Sequence, residues 1–161
     1  MKILYQGSPG AYSHLAAKEL YPDAEIISCK TFDECFVKAE QDKNSRIIIP
    51  ESNRITGNIG IEYLIFKHRL NIYAEHFYRV EHYLLGIQGA KLKDIKNVYS
   101  HGQALSQCSE FIKKNNINEN VRADTAGSAA LISNNKNKND AAISSKLSAE
   151  IYKLDVIASN I

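Results

Sequence analysis

VYSHGQALSQC, residues 98–108, is the stretch from which the architecture of this chain is read. A short β-branched and aromatic run (Val98, Tyr99) delivers Ser100 and His101 to the point where helical periodicity begins. Leu105, Cys108 and Ile112 recur at i, i+3 and i+7 and mark a buried stripe. Gln103 and Gln107 stand four apart on another face. The segment therefore predicts a strand that hands over to a helix, with polar side chains gathered at the handover. At such a place the first backbone N–H groups lack partners and the helix dipole is positive. Both features suit an anion, particularly a carboxylate.

Outward from this handover, strands alternate with helices. Residues 2–5 read as a strand, 13–20 as a helix and 25–28 as a second strand. Thr31 and Glu34 form a capping box that opens a helix carrying Phe32, Cys35, Phe36 and Ala39 inward. Residues 46–50, RIIIP, are a continuous apolar run, as expected of a strand covered on both faces. A helix over 59–68 completes a β-α-β-α-β-α series, which predicts a doubly wound α/β lobe with a mainly parallel sheet. Residues 72–87, IYAEHFYRVEHYLLGI, are strand-rich. A second series follows: Val98, the helix after His101, Val121, the helix after Thr125, a strand at 141–143, a helix at 146–152 and a last strand at 156–158. Two lobes are expected, residues 1–74 plus 155–161 and residues 75–154. Crossings near 72–76 and 154–157 would form a hinge, and a cleft between lobes is a usual small-molecule site. The polar run NNKNKN, 134–139, is expected to be a solvated loop.

Composition narrows the class. With 44% hydrophobic and 24% charged residues, the chain has the make-up of an ordinary globular protein. A net charge of +2 without a Lys/Arg stripe gives no footprint for nucleic acid. No run approaches a membrane span, and MKILYQGSPG turns polar too soon for a signal peptide, so a cytoplasmic protein is expected. Cys29, Cys35 and Cys108 have neither CxxC spacing nor an even count, which reads as reduced thiols. Cys35 and Cys108 fall on apolar helical faces and are expected to be packing residues. The five histidines, 14, 68, 76, 82 and 101, show no HxxxH ligand spacing, and His76 and His82 read as structural.

Taken in order, YQGSPGAYSHLAA (5–17), AEHF (74–77), VYSHGQALSQC (98–108), DTAGSAALI (124–132) and AAISSKLSAEIYKLDVIASNI (141–161) resemble the catalytic domain of the prephenate dehydratase family over essentially the whole chain. The resemblance implies two α/β lobes like a type II periplasmic-binding-protein fold, a homodimer, and no metal or organic cofactor. It also implies a lyase of phenylalanine biosynthesis, converting prephenate to phenylpyruvate. That reaction must hold two carboxylates, keep the ring dry and help the 4-hydroxyl leave with a proton. By the same resemblance, Ser100, His101 and Gln107 match residues that line the substrate site, and Thr125 matches a threonine at another helix start. The plain structural reading is that Ser100 and Thr125 are caps and Gln107 a surface residue. Ser13 closes the glycine loop GSPGAYS, where backbone can meet an oxyanion, although such a loop serves any tight turn. A Ser-His hydrolase is not expected, because adjacent side chains at a helix start diverge and no orienting acid is evident.

The match departs from the family in two places. The family has Pro-Ile-Glu-Asn-Ser with a glycine three residues on. Here Pro50 and Gly57 keep the spacing and Asn53 is retained, but Ser52 replaces the glutamate and Arg54 the serine. Arg54 could clamp a carboxylate bidentately, crowd the cleft or point to solvent. The family's Thr-Arg-Phe signature, whose threonine is its proton donor, does not occur in these 161 residues, nor does its phenylalanine-binding regulatory domain. Loss of a general acid costs about 10²–10⁴ in rate, or roughly 3–5 kcal/mol of barrier. An impaired or inactive carboxylate-binding relic is accordingly the alternative expectation, and feedback inhibition through that domain is not expected.

Overall fold

The computed structural model describes residues 1–53 and 57–161; Arg54 lies outside the described residues. The chain divides into two compact units, Met1–Ser8 with Tyr12–Tyr78, and Pro9–Ala11 with Arg79–Ile161.

The first unit is built on a parallel three-stranded sheet of β1 (Lys2–Gln6), β2 (Glu25–Cys29) and β3 (Ser45–Ile48) in the order β2-β1-β3. The central strand is the most apolar, and Ile3, Leu4 and Tyr5 are all buried. α1 (Tyr12–Leu20) connects β1 to β2, and α2 (Phe32–Gln41) connects β2 to β3. The two connections run in opposite directions along the sheet, so right-handed crossovers put the helices on opposite faces. α2 starts where the capping residues place it, with Thr31 Oγ1 accepting from the Glu34 N–H at 3.1 Å. Glu34 reaches back one residue further than a reciprocal box requires, accepting from the Lys30 N–H at 2.7 Å. Cys35 and Phe36 are buried and Phe32 and Ala39 half-buried, which is the inward face that the spacing predicts.

β3 departs from the expected doubly covered strand. It pairs only with β1, ends at Ile48, and its isoleucines are half-buried, because a three-stranded sheet leaves it an edge. A short ladder of β4 (Ser52–Asn53) and β5 (Gly57–Asn58) follows, then α3 (Glu62–Lys67). α3 starts later than the expected 59, beyond Gly60 at φ +79°. The strand-rich reading of 72–87 is fulfilled only by β6 (Tyr83–Gly86). Period-two sequence becomes a strand only where neighbours take up its N–H and C=O groups, and β6 alone finds them. Ile72, Tyr73 and Phe77 stand exposed instead.

The second unit holds a mixed sheet in the order β10-β6-β9-β7-β8, with β7 (Asn97–His101), β8 (Asn118–Arg122), β9 (Asp140–Ser144) and β10 (Asp155–Ser159). β8, β7 and β9 are parallel, while β6 is antiparallel to both β9 and β10. Alternation along β6 and β9 feeds two cores. Leu84, Ala141 and Ile143 join Val98, Leu105, Cys108 and Ile112 on one side. Leu85 and Ala142 join Ala129, Ile132, Ala149 and Leu154 on the other. α4 (Gly102–Gln107) and α5 (Ser109–Lys114) cover the first core, and α6 (Thr125–Asn135) and α7 (Lys146–Tyr152) the second. The expected single helix after His101 is thus two short ones meeting at Cys108, with its buried stripe intact. The 134–139 loop yields its first two residues to α6, which ends on Lys136 in the left-handed region at φ +52°.

Residues 155–161 do not return to the first lobe as expected. β10 pairs with β6, the Asp155 carboxylate accepts from the Gly89 N–H at 2.8 Å, and the Ile161 N–H donates to the His82 carbonyl at 3.2 Å. Gly86 makes the pairing close, since a Cβ there would stand 2.5 Å from Ile157 Cδ1.

Candidate functional site

In the second unit three parallel strands end on one edge, and the candidate residues follow their carboxyl ends. Crevices outside such ends are where open α/β sheets hold ligands. β7 ends in Ser100 and His101, β8 in Arg122 followed by Asp124 and Thr125, and β9 in Ser144 followed by Ser145.

Ser100 and His101 point to opposite faces of the sheet, as neighbours on a strand must. Ser100 is fully buried and donates its hydroxyl to the Ile143 carbonyl at 2.7 Å, tying β7 to β9. It is not the cap of α4, and this bond gives it a structural task. The cap is His101, whose Nδ1 accepts from the Gln103 N–H at 3.3 Å, leaving the ring exposed. In register with His101 stands Arg122, its guanidinium over the Tyr99 ring at 5.5 Å. Sequence reading passed over Arg122; its position one strand across from His101 emerges only from the β7–β8 register.

Gln107 is the last residue of α4 and half-buried, not a free surface side chain. Its Oε1 lies 2.6 Å from Nε2 of His82, which is buried just before β6. Burial holds the His82 imidazole below the ordinary histidine range, and the Gln107 bond opposes that shift. Thr125 is the first residue of α6, with Asp124 as the cap, accepting from the Gly127 N–H at 2.5 Å. A carboxylate already sits at this helix start, so Thr125 offers its hydroxyl more than it offers the helix dipole.

The serines after β9 have no signature in the sequence that assigns them a task. Ser145 caps α7, accepting from the Ser148 N–H at 3.1 Å, and donates to the Gly10 carbonyl at 2.6 Å. Ser148 Oγ donates to the same carbonyl at 3.2 Å and accepts from Ser144 Oγ at 2.9 Å. The Tyr152 hydroxyl donates to the Pro9 carbonyl at 2.9 Å. These bonds explain why Pro9–Ala11 belongs to this unit. Gly10, at φ +96°, has no room for a side chain against Ser148.

In the first unit Ser13 is the second residue of α1 and half-buried, beside His14, whose ring stacks on Tyr5 at 5.0 Å. Burial, then Lys18, pulls the His14 imidazole below its usual range. Asn53 lies in β4, opposite Gly57.

A family model described as prephenate dehydratase matches residues 3–161. The chain belongs to the prephenate dehydratase family. Arogenate dehydratase 2 of Petunia hybrida is 38% identical over 162 residues, covering all of this chain and 41% of that protein. The chain thus spans about two-fifths of the length of that relative. A solved quorum-quenching acylase superposes with a TM-score of 0.93 at 33% identity, covering 100% of this chain and 59% of the other. The prephenate dehydratase of Staphylococcus aureus superposes with a TM-score of 0.83 at 25% identity, over 100% and 61%. The fold is the periplasmic-binding-protein-like α/β fold of prephenate dehydratase domains.

Proposed function

We propose that this prephenate dehydratase-family chain binds a cyclohexadiene dicarboxylate, prephenate or its amino counterpart arogenate, and promotes its decarboxylative dehydration. The ring carboxylate leaves as CO2, its bonding electrons enter the ring, and the 4-hydroxyl departs as water with a proton. What supports this reading is the polar edge of the second unit, where His101, Arg122 and Thr125 stand at or just beyond the ends of parallel strands and Gln107, at the end of α4, meets His82 beside the start of β6. The Gln107 amide and the Arg122 guanidinium supply donors for carboxylates. The exposed His101 ring and the Thr125 hydroxyl are the groups for the departing oxygen. Ser13 and Asn53, which lie in segments that match the family, and Arg54, which stands where the family has a serine, are read as further substrate contacts, with a homodimer as the assembly. Three buried, unpaired cysteines fit the reducing cytoplasm.

The test is calorimetric titration of the purified chain with prephenate and with arogenate, alongside assays for phenylpyruvate and phenylalanine. Saturable binding of either ligand, with product formed above the spontaneous rate, is expected. Absence of binding by a folded chain would refute the proposal.

A further inference from the structure

We propose that His82 is a positioning residue: it holds the Gln107 amide in one orientation, oxygen inward and NH2 outward, so that Gln107 meets a carboxylate ligand with donors only. The inference rests on Gln107 serving as a carboxylate contact, as proposed above. A glutamine amide has an acceptor face and a donor face of nearly equal shape. Left to itself it would present its oxygen to an anion as readily as its NH2, and the first arrangement repels.

The geometry removes that choice. His82 Nε2 stands 2.6 Å from Gln107 Oε1, and because a carboxamide oxygen only accepts, this orientation goes with the imidazole proton on Nε2, the tautomer that the proposal assigns. Turning the amide over would set its NH2 against that N–H, donor to donor, inside the protein. Both partners are fixed. His82 is 8% exposed, leads directly into β6, and its carbonyl accepts from the Ile161 N–H. Gln107 ends α4 and precedes Cys108, which is buried in the core. Among the described residues the Gln107 side chain makes no further hydrogen bond, so both amide protons are left for a ligand.

Two measurements test this. Long-range nitrogen correlation on the histidine side chains of the wild-type chain should show His82 as the Nε2–H tautomer. Prephenate affinity should fall roughly tenfold to a hundredfold in His82→Leu, the loss expected when a donor to a charged group is misdirected. His82→Gln, which can place an amide N–H near the same point, should recover most of it. His82→Leu added to Gln107→Leu should cost little more than Gln107→Leu alone, because His82 acts through Gln107. An Nδ1–H tautomer, unchanged affinity in a folded His82→Leu, or additive losses would overturn the proposal. A wild-type chain that binds neither prephenate nor arogenate would instead sink the functional reading, and the tautomer measurement separates the two failures.

Discussion

Replacing Ser145 by alanine removes, besides a 3.2 Å contact with Ser148 Oγ, a helix cap and a buried donor whose energies can be worked separately. As the cap of α7, its Oγ accepts from the Ser148 N–H, and loss of such a cap costs about 1 kcal/mol. As a donor, the same hydroxyl serves the buried Gly10 carbonyl at 2.6 Å. Withdrawing a neutral partner from a buried acceptor costs about 1 kcal/mol. It would cost more were Ser148 Oγ not also donating there at 3.2 Å. The sum is about 2 kcal/mol. Ser145→Gly divides it, because glycine is a cap nearly as good as serine but has no hydroxyl for Gly10. Urea unfolding with a shared m-value should place Ser145→Ala about 2 kcal/mol below wild type and Ser145→Gly about half as far. Hydrogen exchange at Gly10 and Ala11 should quicken in both variants, as their loop loses its anchor. A loss below about 0.5 kcal/mol in Ser145→Ala, with unchanged exchange, would refute the clamp.

Three further outcomes follow from burial and close approach. His14 and His82 have folded pKa values below the ordinary 6.5, so the unfolded chain binds more protons and stability is lost as pH falls. The urea midpoint should drop between about pH 7.5 and about pH 5.5, less steeply in His82→Gln; a flat profile would contradict the burial of both rings. Burial pushes the Cys108 thiol up to about 12 and raises Cys35 as well. A thiol-exchange reagent at neutral pH should leave both unlabelled until urea is added, and rapid native labelling would count against their burial. Gly86→Ala would drive a methyl to 2.5 Å from Ile157 Cδ1, a flexible tip, at a cost of about 1 kcal/mol. Ile157→Val should restore most of that stability, and failure to do so would argue against β10 lying beside β6.

Where sequence reading succeeded, the signal was local and repeated. Thr31 and Glu34 announced α2, and the Leu105, Cys108, Ile112 stripe survived even the break between α4 and α5, because a helical period tolerates one irregular residue. It failed where pairing partners decide. Residues 72–82 have the alternation of a strand and, among the described residues, no strand to join, and residues 156–158 are too few to declare which sheet they extend. The site shows the same division. Gln107 was legible as a polar residue on a face away from the core, but His82 was read as structural. Their contact joins positions 25 residues apart, and no spacing rule links them.

Ser100 beside His101 invites a hydrolase reading, and the geometry argues against it. A serine nucleophile needs a hydroxyl that a base can deprotonate and that a substrate carbon can reach. Ser100 is fully buried, its proton goes to the Ile143 carbonyl, and His101 lies on the other face of the strand with Nδ1 engaged by the Gln103 N–H. The second cluster fares no better. Ser144, Ser145 and Ser148 are buried, and their protons go to one another or to Gly10. In both places the serines act as internal donors that hold strands and a loop together. A serine-directed fluorophosphonate should therefore leave Ser100, Ser144, Ser145 and Ser148 unmodified in the native chain, as read by peptide mass spectrometry. Stoichiometric labelling of any one of them would require its hydroxyl to be exposed and activated, and would overturn the account of β7 and β9 given by these bonds.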